Sequence, residues 1–142
     1  MALWATQRLL PMTRGGEFAQ GLTRCRNAAL GLYGRLRADA RFLTMFEPEL
    51  DIVVFAPRAT TASGVSRLSR QLFNAAAERD LHLALFSYPT VSLREVWKGV
   101  ALEAETAVCL RSCLMKPEHY EWLDPLWHLL SESMDSVLAA EP

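Results

Sequence analysis

The sequence predicts a small α/β layer, one sheet of about four strands with helices packed mainly on one of its faces. Three observations carry this reading. Phe18, Leu22, Cys25, Ala29, Leu32 and Leu36 recur at alternating spacings of four and three, a stripe of about five helical turns. Ile52-Val53-Val54-Phe55 is a continuous β-branched and aromatic run closed by Pro57, the pattern of a buried strand. The two patterns then mix along the chain in the order α, α, β, β, α, β, a helical turn, β, α. A sheet built this way has a second face for which the sequence shows no dedicated cover.

Each element follows from local chemistry. Ala2 to Leu10 reads as a helix carrying Leu3, Trp4, Leu9 and Leu10; Pro11 stops it and Gly15-Gly16 breaks the chain. The stripe sets a helix over 17–38, weakened by about 1 kcal/mol at each of Gly21, Gly31 and Gly34 relative to alanine. Arg41 to Phe46 and Leu50 to Ala56 read as strands, and Glu47-Pro48-Glu49 between them is turn chemistry that makes them hairpin neighbours. Ser63 to Arg79 is a second amphipathic helix, with Val65, Leu68, Leu72 and Ala76 on its apolar face and Ser63 as N-cap. Leu81 to Phe86 is a strand followed by a bend at Ser87-Tyr88-Pro89. Leu93, Val96 and Trp97 mark one helical turn, and Ala107 to Met115 is a strand ended by Lys116-Pro117. His119 to Leu123 is a single turn. Asp124-Pro125 reads as the N-cap and first residue of a last helix through about Leu138, its face marked by Trp127, Leu130, Met134 and Val137.

The chain has 142 residues, with 15 basic against 16 acidic side chains, 51% apolar and 22% charged. That is the composition of one globular domain, long enough to bury a core. The even charge argues against a nucleic-acid partner, which requires a basic excess. No apolar run approaches the roughly 18–20 residues that span a bilayer, so no membrane partner is expected. The opening lacks the basic region and small-residue cleavage site of a signal peptide. Three cysteines without a CxxC predict neither a disulfide framework nor a zinc cage. Together these point to a cytoplasmic protein with reduced thiols. The basic residues are 13 arginines and only two lysines, Lys98 and Lys116. Chemistry that needs a lysine must use one of those or find it on another chain.

The strand Ala107–Leu114 is the most informative element. Side chains alternate along it, placing Val108, Leu110 and Leu114 on a core face and Ala107, Cys109, Arg111 and Cys113 on the other. Arg111 therefore projects from mid-strand between small side chains, with room for a planar anion matching its fork. The alternatives are a structural ion pair with a neighbouring carboxylate, or a guanidinium reaching solvent. Cys109 and Cys113 lie about 13 Å apart by strand rise, too far for a disulfide, and read as small buried hydrophobes. With no histidine beside them in sequence, a cysteine hydrolase is set aside. His82, His119 and His128 have no metal-ligand spacing. Glu47 and Glu49 read as solvated, Arg24, Arg26, Arg35, Arg37 and Arg41 as a wet helix face, and Trp122 and Trp127 as core or interface. No GxGxxG, Walker A or GxSxG motif is present.

One resemblance covers nearly the whole chain. Ala2-Leu3-Trp4, Arg14-Gly15-Gly16-Glu17-Phe18, Arg41-Phe42, Leu50-Asp51-Ile52-Val53-Val54-Phe55, Ala77-Glu78-Arg79-Asp80-Leu81, and Cys109-Leu110-Arg111-Ser112 with Lys116-Pro117 come in characteristic order. Together they resemble the C-terminal region of the group II pyridoxal-phosphate-dependent decarboxylases, which include the aromatic-L-amino-acid and glutamate decarboxylases. The resemblance implies the small domain of the fold type I transferase-like architecture. Residues 1–14 would be the helix linking it to a large cofactor domain and 15–142 the small domain, with the open sheet face turned to the active site. It implies that Arg111 binds the substrate's α-carboxylate, a bidentate clamp that orients the amino acid, and that Ser87 and Tyr88 approach the mouth of the site. The family's Schiff-base lysine, pyridine-binding aspartate and phosphate cradle precede this region. The segment alone would then hold no pyridoxal phosphate and be inactive, the large domain or a homodimer partner completing it. The alternative is a non-catalytic α/β module that uses the open face to bind a protein.

Overall fold

The computed structural model describes residues 2–141. In chain order its elements are α1 (Ala2–Leu9), α2 (Glu17–Ala38), β1 (Phe42–Thr44), β2 (Ile52–Pro57), α3 (Ala62–Ala77), β3 (Ala84–Pro89), β4 (Thr106–Cys113) and α4 (Leu123–Ala139). Short 3-10 turns occupy Thr90–Leu93 and Pro117–Tyr120. The strands form one fully antiparallel sheet in the order β1-β2-β4-β3. This is the small α/β layer that the periodicities predict. Met1 and Pro142, the outer ends of the expected ranges 1–14 and 15–142, lie outside the described residues.

The apolar stripes converge on one sheet face. Leu32 and Leu36 of α2, Leu68 and Leu72 of α3 and Met134 of α4 pack against Val53, Phe55 and Leu110. Each fully buried side chain of this size contributes about 2 kcal/mol, so this face supplies most of the stability. Arg41 pins the layer's edge. It pairs with Asp39 at the end of α2 (2.6 Å) and with Asp135 of α4, and donates to the Ser131 hydroxyl (2.8 Å). Arg24 and Arg35 pair with Glu121 and Asp124. Three arginines expected on a wet helix face are thus ties between α2, the start of β1 and the C-terminal region.

Several boundaries differ from the sequence reading, each for a local reason. Thr61, not Ser63, caps α3: its hydroxyl accepts from the Gly64 N–H (3.0 Å), which frees Ser63 for the first turn. Asp124 lies inside α4, whose N-cap position is Trp122, because its carboxylate is drawn to Arg35 instead of to the helix's own amides. Strand β3 starts three residues later than Leu81 and continues through Ser87, Tyr88 and Pro89, which form no bend. Leu81 is consumed by the helix-side core as the chain leaves α3 through Asp80 in the left-handed region (φ 59°). Leu22, expected on the buried stripe, is 51% exposed and Phe18 is half-buried, since the first turns of α2 overhang the sheet.

The second sheet face is not bare. Residues 90–104 fold back over it, and Leu93 and Trp97 bury Val54, Ala56, Ala107 and Cys109 beneath them. Trp97 is 1% exposed and its indole N–H donates to the Thr44 carbonyl (3.2 Å). The expectation of an uncovered face holds only for the half of the sheet beyond this roof.

Candidate functional site

Arg111 sits on that remaining half. It is on β4, an internal strand, between Val54 of β2 and Ala84 of β3. A side chain at the middle of an internal strand is ordinarily buried; Arg111 is exposed because the Trp97 roof ends over Cys109, two residues before it. Among the described residues no hydrogen bond or ion pair engages its guanidinium. Of the two alternatives to an anion site, the structural ion pair is not formed, and the guanidinium reaches solvent. Its neighbours on the same face are Cys113, half-buried, and Ile52, paired with Cys113 across the strands. The result is one fork-shaped cation on an apolar floor, suited to a carboxylate whose remaining body is apolar.

Ser87 and Tyr88, expected near the mouth of a site, do not lie beside this cation. Ser87 pairs with Val108 and turns to the opposite sheet face from Arg111. Tyr88 shares the face of Arg111 but pairs with Ala107, four residues along the ladder, about 13 Å by strand rise. It packs instead against Phe86, the two rings tilted by 54° with centroids 5.7 Å apart.

Two further titratable groups are structural. Burial pushes the Cys109 thiol up to about 12, so it carries no thiolate near neutral pH. Glu103, on the roof segment, was not singled out in the sequence. The Ser63 hydroxyl, then the Ser63 and Ala62 N–H groups (2.9 and 3.0 Å), hydrogen-bond its carboxylate and lower it to about 2. It caps α3 from 40 residues away and, with the Ala101 N–H donating to Thr60 (2.8 Å), holds the roof to the helix start. No spacing rule could have found it, because the contact is purely tertiary. Trp97 had a faint signal, its i,i+4 relation to Leu93.

The donor set does not fit pyridoxal phosphate on this chain alone. Lys98 and Lys116 are both exposed, on the roof and beside the Pro117 turn, on separate elements. An apolar-lined cleft of about 430 Å³ between the start of α2 and the Pro117 turn contains neither lysine and not Arg111. No group of three or more metal-ligating side chains occurs among the described residues, and no helix there is long and apolar enough to cross a membrane.

No protein-family profile matches the chain, and no curated protein does. Solved structures do. The Oryza sativa TDC structure with PLP and tryptamine superposes with a TM-score of 0.67 at 16% identity, over 94% of this chain and 26% of that one. Catharanthus roseus tryptophan decarboxylase in complex with L-tryptophan gives 0.62 at 15% identity, over 95% and 25%. The glutamate decarboxylase domain of diaminobutyrate-pyruvate transaminase and L-2,4-diaminobutyrate decarboxylase from Vibrio parahaemolyticus gives 0.52 at 18%, over 81% and 22%. The fold is that of the C-terminal part of these decarboxylases. The chain spans about a quarter of their length, and identities this low carry the fold and nothing more.

Proposed function

We propose that this chain is the small domain of a pyridoxal-phosphate-dependent amino-acid decarboxylase, a carboxy-lyase whose cofactor site is furnished by other sequence. Residues 1–14 lead from that large domain and 15–142 form the small one. One observation carries the reading: in a decarboxylase-like fold, an internal-strand arginine stands exposed and unpaired where the chain's own roof stops. Arg111 binds the substrate's carboxylate through its two parallel N–H donors and fixes the amino acid's orientation; Ile52 and Cys113 exclude water from one side. The cofactor, when bound by the complete enzyme, supplies the electron sink for decarboxylation. The chain alone is inactive.

The test is Arg111→Ala in the assembled enzyme. Losing a charge-assisted pair raises KM for the amino acid by about 10- to 100-fold with cofactor occupancy unchanged. Arg111→Lys, which keeps the charge but not the fork, recovers only part. An unchanged KM removes Arg111 from the site. Incubating the isolated chain with pyridoxal phosphate should give no stoichiometric covalent adduct on Lys98 or Lys116 by mass spectrometry, and such an adduct would contradict the reading.

A second reading is the non-catalytic interaction module; the sheet face it was expected to use is roofed over Ala107 and Cys109, and the exposed apolar side chains that favour it lie on and just after α1 instead. Trp4 and Leu9, and Met12 just beyond, are all largely exposed apolar side chains. A protein partner without cofactor that binds there would favour it.

A further inference from the structure

A polar-walled cleft of about 360 Å³ runs along the free edge of β1, between the last turns of α2 and the roof at Val96. Tyr33 and Arg37 of α2 line one wall, and Thr44 and Arg58 line the strand side. Among the described residues that line it, the two arginines are the only charged ones. Elsewhere Arg24, Arg35, Arg41 and Arg67 each pair with a carboxylate. Arg37 and Arg58 do not. Arg37 is exposed and makes no hydrogen bond or ion pair among the described residues. Asp39, close to it in sequence, is taken by Arg41 (2.6 Å). Arg58 is held by backbone instead of by counter-charge. Its Nε donates to the Ala40 carbonyl (2.9 Å) and one Nη to the Phe42 carbonyl (3.2 Å), leaving the other Nη without an acceptor. The strand edge adds a further donor. The Arg58 N–H donates to the Arg41 carbonyl (2.7 Å), so ladder alternation turns Leu43 toward β2 and turns Phe42 and Thr44 outward. Both outward groups of Phe42 are met, by the Asp39 carbonyl and by Arg58, and the Thr44 carbonyl is met by Trp97. The Thr44 N–H and hydroxyl and the Tyr33 hydroxyl meet no acceptor among the described residues.

We propose that this cleft binds the phosphoryl group of a small phosphate monoester. The Arg37 fork, the free Nη of Arg58, the two hydroxyls and the Thr44 N–H supply more donors than the two oxygens of a carboxylate accept, and they suit the three oxygens of a phosphoryl group. Charge argues the same way. A phosphate monoester carries close to two negative charges near neutral pH, which two guanidinium groups balance, whereas a monocarboxylate leaves one cation in excess. Arg58 is already fixed by its two carbonyls, so it loses little freedom when the anion arrives. A cleft of this volume holds more than a phosphoryl group, and the exposed Val96 side chain offers an apolar rim to the ester's organic part. The cleft is separate from the site of Arg111. Strand β1 lies two strands from β4, about 10 Å across the sheet, and Thr44 shares the helix-side parity of Phe42 while Arg111 is on the roof face. The proposal therefore does not rest on the decarboxylase reading.

The experiment is titration of the full chain with inorganic phosphate, glycerol 3-phosphate and acetate at constant ionic strength, read by calorimetry and by the amide shift of Thr44. Glycerol 3-phosphate should bind saturably at one site, at least as tightly as inorganic phosphate and about 10-fold or more tighter than acetate, and should move the Thr44 amide. Arg37→Gln, at an exposed side chain that touches nothing in the folded chain, should weaken the ester about 10-fold or more. Arg37→Lys, which keeps the charge but not the fork, should recover part of this. Arg70→Gln removes the same charge from an exposed arginine of α3 outside the cleft and should stay within about two-fold of wild type. Phosphatidylcholine vesicles doped with phosphatidic acid, which present the same ester on a membrane, should not retain the chain. Non-saturable binding, acetate as tight as the ester, inorganic phosphate tighter than the ester, an unmoved Thr44 amide, equal losses in Arg37→Gln and Arg70→Gln, or retention on the vesicles overturns the proposal.

Discussion

Replacing Trp97 by alanine tests whether residues 90–104 are a packed layer of the domain or a loop lying on its surface. Trp97 is 1% exposed, rests on Val54, Ala56 and Cys109, and its indole N–H occupies the Thr44 carbonyl. A buried tryptophan truncated to alanine costs about 3–5 kcal/mol, combining lost transfer energy with the cavity left behind. The Thr44 carbonyl lies on an edge strand and can be hydrated in the variant, so its loss adds little beyond this. The total stability of a domain is about 5–15 kcal/mol, so Trp97→Ala should remove a large share of it. With a urea slope of about 2 kcal/mol per molar, the unfolding midpoint falls by about 2 M, read by circular dichroism at fixed protein concentration. Trp122, 62% exposed, is the internal control: its alanine variant should stay within about 0.5 kcal/mol of wild type. A Trp97→Ala protein within about 1 kcal/mol of wild type would show that the roof does not pack, and would return the whole sheet face to the open state read from the sequence.

Two further outcomes follow from single side chains. Glu103 is held at about 2 in the folded chain against an ordinary 4.5, so its contribution is fully present above pH 4.5 and is lost as pH falls toward about 2. Glu103→Gln should lower the melting temperature near neutral pH and flatten that acid limb; a variant with the wild-type pH profile would remove Glu103 from the cap. Gly34 has nothing within 4 Å of where a Cβ would stand and lies in a regular helix, so Gly34→Ala should stabilise by about 1 kcal/mol. Gly31, where a Cβ would meet a Leu123 methyl at 2.5 Å, should gain less or lose; equal gains at both positions would contradict the α2–α4 packing described.

What the sequence disclosed depended on where each residue's constraints lie. The helix over 17–38 was legible to the residue because its stripe is buried along most of its length against one continuous core. Ile52–Phe55 and the strand around Arg111 were legible because β-branched and alternating patterns reflect a pleat packed on both faces. Strand β3 was misplaced because Leu81-His82-Leu83 mimics alternation while Leu81 serves the helix-side core. Its true end, Ser87-Tyr88-Pro89, carries turn-like residues that an edge strand tolerates when the missing N–H faces outward. The roof was illegible as a cover because it is irregular chain, positioned by Glu103, Ala101 and Trp97 through contacts distant in sequence. At the candidate site, the face of Arg111 could be read from strand parity; its exposure could not, because it depends on where the roof ends.

Native mass spectrometry of the protein isolated from its own cells tests the decarboxylase reading most directly. The prediction is that this sequence is found joined to, or bound by, further polypeptide that carries pyridoxal phosphate. Species whose masses are only whole multiples of this chain, with no cofactor attached, would contradict it.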